Sequence, residues 1–135
     1  KFLIPITLIL IPSFLGIFYG LATFCFIISN SKKVVSSFLV FALFFGVFEF
    51  IRGSILTGFP WNLIAYSFVN QLEILSITSL IGTYGFNLFC ISLFASPAIF
   101  ILRKTKKDIA VCIVFLIMPF LFYLHGLSYK ERFNL

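Results

Sequence analysis

Long apolar segments separated by short charged ones dominate the chain. Uncharged runs cover residues 2–29, 34–48, 53–72, 74–102 and 109–129. A helix rises about 1.5 Å per residue, so about 20 apolar residues cross a hydrocarbon core about 30 Å thick. The pattern therefore predicts an all-α fold, a single polytopic membrane domain over residues 1–135. Its four transmembrane helices are expected at approximately 2–29, 34–52, 74–102 and 109–129.

The uncharged run 53–72 does not fit a lipid-facing helix. It contains Gly53, Gly58, Pro60 and Asn62 within ten residues, and proline removes a backbone donor and disfavours helical geometry in the residue before it. Irregular backbone at membrane depth must be covered by protein or water. We expect an interfacial or re-entrant loop, with Trp61 and Tyr66 close to the headgroups. A fifth helix that begins near Pro60 is the alternative, because proline suits a first helical turn.

Composition supports a membrane protein, and charge predicts its orientation. Hydrophobic residues make up 61% of the chain and charged residues 10%, which leaves too little polar surface for a soluble globule. Lys32 and Lys33 follow the first span, and a second basic loop spans Arg103–Lys107. Short basic loops stay cytoplasmic, so the Trp61 loop and the C-terminus are predicted on the outer, periplasmic face. The net charge of +6 suits anionic lipid and gives no reason to expect nucleic acid.

One acid and one arginine lie at the end of the second span. A charge near a helix centre in a bilayer costs about 2.5–3.5 kcal/mol on insertion scales, and Glu49 and Arg52, three residues apart, share a helix face on which they can pair. The alternative is a partly wet pair at the interface that only ends the helix. The following Gly58-Phe59-Pro60-Trp61 combines a flexible backbone, a rigid turn and a large ring, which suits contact with a lipid chain or headgroup.

Other chemistry is sparse. Cys25, Cys90 and Cys112 have apolar sequence neighbours, whereas a reactive thiolate needs a basic or cationic neighbour, so we expect small apolar residues. His125 is isolated, and no metal-ligand spacing or cofactor motif is present. Gly82 and Gly85 precede an apolar run and are interpreted as the start of a helix. The chain begins at Lys1 and ends in a polar segment, from which we expect a fragment of a larger protein.

Four short stretches resemble the membrane domain of bacterial apolipoprotein N-acyltransferases. They are Glu49-Phe50-Ile51-Arg52-Gly53 with Thr57-Gly58-Phe59-Pro60-Trp61, then Ala65-Tyr66-Ser67, and finally Gly82-Thr83-Tyr84-Gly85-Phe86-Asn87. Leu15 to Phe24 is loosely similar to an earlier helix of that family. Ala65 departs from the pattern, which usually has glycine before the tyrosine.

The resemblance implies a role in the bacterial inner membrane. The family moves an acyl chain from a membrane phospholipid, through a cysteine thioester, to the N-terminal diacylglyceryl-cysteine amine of lipoproteins. The cysteine belongs to an outer-face domain of nitrilase type, which the resemblance places after residue 135. The chain is then expected to carry no catalytic residue and to be inactive alone. The alternatives are a non-enzymatic membrane protein or split-gene remnant that binds other helices, and a transporter fragment, for which polar residues on several helices would be expected.

Overall fold

Helices account for most of the chain. The computed structural model describes residues 3–29, 31–55 and 62–133. Its elements, in chain order, are α1 (Leu3–Ile28), α2 (Val34–Ser54), a 3₁₀ turn (Ile64–Phe68), α3 (Leu72–Leu75), α4 (Thr78–Leu102) and α5 (Lys106–Phe133). No strand occurs among the described residues, so the predicted all-α class is confirmed.

Four helices of the described part are long and apolar enough to cross a membrane, namely α1, α2, α4 and α5. They pack in chain order: α2 contacts α1 and α4, and α4 contacts α5. About half of α4 is buried (50%), compared with 11–17% of the other three spans. The other three spans, α1, α2 and α5, instead expose many large apolar side chains, as expected where lipid tails rather than water surround the protein.

The segment between α2 and α4 contains no further spanning helix among its described residues. After Ile55 the description resumes at Asn62, and residues 62–77 form only the five-residue 3₁₀ turn and the four-residue α3. The fifth helix considered as an alternative is therefore not seen there. A compact connection lets α2 and α4 run antiparallel, so that Phe38 near the start of α2 meets Ile99 near the end of α4.

Near the starts of α4 and α5 lie a backbone break and a helix cap that the predicted helix ranges did not anticipate. Gly82 has φ +71°, which divides α4 into a first turn and a long helix; this left-handed conformation is readily adopted by glycine alone. At α5, the backbone N–H groups of Lys104 and Thr105 both donate to Asp108 Oδ2 at 2.8 Å, and the Asp108 N–H group faces Thr105 Oγ1. This reciprocal capping box allows α5 to begin at Lys106 instead of near residue 109.

Two apolar clusters fix the helices. The larger one surrounds Phe86 and Phe89 of α4, whose rings contact Phe122 of α5. The smaller one joins Phe38, Ile99 and Cys112 near the two basic loops. The larger cluster also holds α3, because Ile74 is among its buried residues, and so the short connection is packed on α4 and α5.

We expect Gly126→Ala to destabilise the bundle. A Cβ at Gly126 would collide with the backbone of Glu73 in α3. Because backbone cannot move away by changing rotamer as a side chain can, we expect overpacking to lower the free energy of unfolding by about 1–3 kcal/mol. Gly20→Ala is the matched control, because no atom of a packing neighbour lies within 4 Å of its added Cβ. Thermal unfolding followed by circular dichroism in detergent measures both. Equal melting temperatures for the two variants would contradict the observed packing of α3 on α5.

Candidate functional site

A buried ion pair lies near the end of α2. The Arg52 Nη2 group donates to Glu49 Oε2 at 2.7 Å, and the two side chains are 3% and 2% exposed. The pairing predicted from their spacing is therefore present. Both groups are enclosed by protein, unlike the partly wet pair considered as the alternative, and a charge-assisted hydrogen bond of this length is strong in such surroundings.

Tyr19 connects this pair to α1. Its hydroxyl group lies beside the Glu49 carboxylate, and its ring stacks on Phe45 of α2 with centroids 5.4 Å apart. Sequence reasoning missed this residue. The available signal was a hydroxyl group in an uncharged span, because a polar atom at membrane depth needs a partner.

The end of α2 lies directly against the beginning of α4. The Tyr84 hydroxyl group occupies the space that a Cβ on Gly53 would need, and the Tyr84 ring meets Phe50 edge to face at 5.0 Å. Gly53 is buried. Because glycine has no side chain, the two helices approach each other closely here. We name Tyr19, Glu49, Arg52, Gly53 and Tyr84 the Glu49 cluster.

Asn87, one turn further along α4, holds the segment that precedes α3. Its Oδ1 atom accepts a hydrogen bond of 3.0 Å from the backbone N–H group of Ala65, and Asn87 is 1% exposed. Its Nδ2 group has no hydrogen-bond partner among the described residues. Ala65 is thereby pinned to α4, while the neighbouring Tyr66 is 45% exposed and lies at the surface as an interfacial aromatic residue would.

The structure brings together some of the predicted site residues. Glu49 and Arg52 form the centre of the cluster, and Tyr66 follows the anchored Ala65. Gly82 provides the break in α4, and a Cβ on Gly85 would lie 3.3 Å from Ile81 Cβ. The predicted lipid-contact residues Gly58, Phe59, Pro60 and Trp61 lie outside the described residues.

The candidate nucleophiles and metal ligands in the described part of the chain are few. All three cysteines are free thiols; Cys90 and Cys112 are buried in the two apolar clusters. Over the described residues no group of three or more His, Cys, Asp or Glu side chains could hold a metal ion. The Glu49 carboxylate already accepts a hydrogen bond from Arg52. In the Glu49 cluster the acid is therefore held in an ion pair.

These features define a class of protein, a polytopic helical membrane protein with an ordered polar cluster at one end of its bundle. Comparison with known proteins gives its family. The model for the apolipoprotein N-acyltransferase N-terminal domain matches residues 1–96, which include the whole Glu49 cluster. No solved structure matches the chain.

Several curated relatives agree with that match. The chain is 33% identical over 98 residues to the apolipoprotein N-acyltransferase of Rhizobium meliloti, which covers 71% of this chain and 18% of the relative. It is 32% identical over 108 residues to that of Bradyrhizobium diazoefficiens, a match that covers 80% of this chain and 20% of the relative. It is 31% identical over 126 residues to that of Sinorhizobium medicae, a match that covers 89% of this chain and 23% of the relative. The chain belongs to the apolipoprotein N-acyltransferase family, and it spans about a fifth of the length of these relatives.

We expect removal of one member of the buried pair to destabilise the bundle strongly. Glu49→Ala leaves the Arg52 guanidinium buried without its anion, and breaking such a pair costs about 3–5 kcal/mol. Glu49→Ala combined with Arg52→Ala should cost less than the sum of the two single changes, because neither charge is then left alone. A double-mutant cycle on unfolding in detergent measures the coupling. Additive losses would mean that the two side chains do not interact.

Proposed function

We propose that this chain is the membrane portion of a lipoprotein N-acyltransferase. The enzyme would transfer an acyl chain from a membrane phospholipid to the N-terminal diacylglyceryl-cysteine amine of a lipoprotein. The observation that carries the proposal is the family match over residues 1–96, within which the Glu49 cluster builds an ordered polar site at one end of an apolar bundle. Relatives named apolipoprotein N-acyltransferase add support.

In this proposal residues 1–135 handle lipid and another domain performs the chemistry. The buried Glu49–Arg52 pair fixes the end of α2, from which the chain continues into Gly58–Trp61, the proposed contact with the acyl chain or headgroup. Cys90 and Cys112 lie in apolar surroundings that do not favour a thiolate. The nucleophile would come from an outer-face catalytic domain, and the chain would be inactive without it.

The orientation is proposed from the basic loops. Lys32 and Lys104 line the same cavity, which supports placing both loops on one side of the membrane. Because short basic loops remain cytoplasmic, the Glu49 cluster and the end of α5 would face the periplasm of the bacterial inner membrane. That is where a lipoprotein amine and an outer catalytic domain could meet.

A non-enzymatic helix-interaction protein is the second candidate. The observation that favours it is the apolar environment of the buried cysteines together with the internally satisfied Glu49 carboxylate. Neighbouring DNA separates the two candidates. An adjoining reading frame for a nitrilase-like domain would favour the acyltransferase, and its absence would favour a remnant of a split gene.

The activity proposal is tested by complementation. The chain is supplied with the outer-face domain of a relative as a separate polypeptide, and acyl transfer to a diacylated lipopeptide is followed by mass spectrometry. We expect Glu49→Ala and Trp61→Ala to reduce transfer about tenfold or more, since a shift of about 1.4 kcal/mol in positioning already gives a factor of ten. Glu73→Ala is the control for Glu49, because half-buried Glu73 forms only a long pair of 3.5 Å, with the exposed Lys130.

Phe120→Ala is the matching control for the tryptophan, because this ring is exposed on α5. Both controls should keep wild-type transfer. If Glu49→Ala and Trp61→Ala retain full transfer in the reconstituted system, the proposed role of this region in lipid handling is wrong. If the unsubstituted chain gives no transfer with any outer domain, the non-enzymatic candidate is favoured.

The orientation is tested by cysteine labelling. With the native cysteines replaced by alanine, single cysteines are introduced as Ser31→Cys at one end of the bundle and as Asn70→Cys or Ser128→Cys at the other. We expect a membrane-impermeant maleimide to label positions 70 and 128 in spheroplasts and position 31 only after the membrane is opened. Labelling of position 31 in intact spheroplasts would reverse the proposed orientation.

A further inference from the structure

Two neighbouring cavities lie at the end of the bundle opposite the Glu49 cluster. One has a volume of about 670 Å³ and the other about 490 Å³, within the range of roughly 300–1,000 Å³ that is usual for ligand sites. They lie beside the first turn of α2, which is about 22 Å from Glu49 at 1.5 Å per residue. The cavities are therefore separate from the site proposed to handle the acyl donor.

Two lysines occupy the place where the cavities meet. Lys32 and Lys104 line both cavities, while Lys33 and Lys107 line the larger one only. Within the described part of the chain the two ion pairs are Glu49–Arg52 and Glu73–Lys130, so neither Lys32 nor Lys104 forms an ion pair there. Four ammonium groups thus line a cavity that has one carboxylate, that of Asp108.

The one carboxylate in the larger cavity is already engaged. Asp108 Oδ2 accepts the backbone N–H groups of Lys104 and Thr105 at 2.8 Å each, and this capping holds the second basic loop in place. The first loop is held by Ser37, whose Oγ donates to the Ser31 carbonyl group at 2.7 Å. Both lysines therefore extend from loops whose backbones are fixed.

The walls of the smaller cavity are almost entirely apolar. Phe38 and Phe41 of α2 face Ala98, Ile99 and Leu102 of α4 across it. Water in such a space would lack partners, whereas a hydrocarbon chain would fill it and bury apolar area. The site thus combines a cationic rim with an apolar interior.

We propose that these cavities bind one anionic phospholipid, with its phosphate between Lys32 and Lys104 and an acyl chain in the smaller cavity. Charge complementarity selects this occupant: an anionic headgroup supplies the negative charge that the lysines lack, whereas a choline or ethanolamine headgroup would place a further cation beside them. A soluble phosphate would leave the apolar walls exposed. The inference does not depend on acyl transfer, and failure of either proposal leaves the other intact.

Photocrosslinking tests this proposal. The full protein is placed in phosphatidylcholine nanodiscs that contain a small fraction of phosphatidylglycerol with a diazirine on one acyl chain, and crosslinked peptides are identified by mass spectrometry. We expect crosslinks concentrated on residues 95–102 and 34–41, and few from the same label on phosphatidylcholine. Glycerol phosphate in solution should not compete. Effective competition would indicate a phosphate site without lipid and would overturn the proposal.

A charge-matched pair of variants separates the site from general surface attraction. Lys32→Ala with Lys104→Ala should lower these crosslinks about tenfold, because both cations beside the anionic headgroup are then removed. Arg103→Ala with Lys106→Ala removes the same charge nearby, but neither side chain lines a cavity, and Arg103 donates to the Phe100 carbonyl group and stacks on its ring. Equal losses in the two variants would mean diffuse attraction and would overturn the site.

A variant that keeps every charge tests the acyl-chain cavity. Ala98→Phe fills the smaller cavity, and we expect it to abolish the crosslinks on residues 95–102. Ala110→Phe makes the same change on α5 at an exposed position outside this cavity and should leave them intact. Circular dichroism should give equal helix content for both variants. Undiminished crosslinking in a folded Ala98→Phe protein would overturn the assignment of this cavity.

Discussion

The buried pair of Glu49 and Arg52 is the constraint on which the arrangement of the helices depends. Burying either ion alone would cost several kcal/mol, and together they offset part of that cost through a short hydrogen bond. The Tyr19 hydroxyl group lies beside the same carboxylate. Because lipid cannot solvate these groups, the face of α2 that carries them must be covered by protein, and this fixes the rotation of α2 between α1 and α4.

The same face of α2 is otherwise made of small residues. Ala42, Gly46 and Gly53 are spaced with Glu49 at intervals of four, three and four residues, which keeps all of them on one side of a helix. Leu88 of α4 lies over Gly46 and Tyr84 over Gly53. Helices in lipid gain little from hydrophobic burial and pack where small residues permit close approach. The ion pair thus selects the face, and the small residues determine how closely α4 approaches it.

Sequence reasoning reached the features that depend on local spacing. Uncharged length predicted the spanning helices, and three-residue spacing predicted the Glu49–Arg52 pair. It did not find Tyr19, Tyr84 or the hydrogen bond from Ala65 to Asn87, because those partners are 20 to 35 positions apart and only the fold brings them together. The capping of α5 by Thr105 and Asp108 was local and could have been found, since the Thr-x-x-acid spacing is a known start signal.

The anchors near the end of α2 have a consequence for the segment between Ile55 and Asn62. Before it, Gly53 is held against Tyr84; after it, Ala65 is held by Asn87. Tyr84 and Asn87 are three residues apart on α4 and therefore share one helix face. Gly53 and Ala65 are thus both held by a single turn of one buried helix. A change in the Glu49 cluster would move the first anchor relative to the second, so the ion pair and the position of Ala65 relative to α2 are linked through α4.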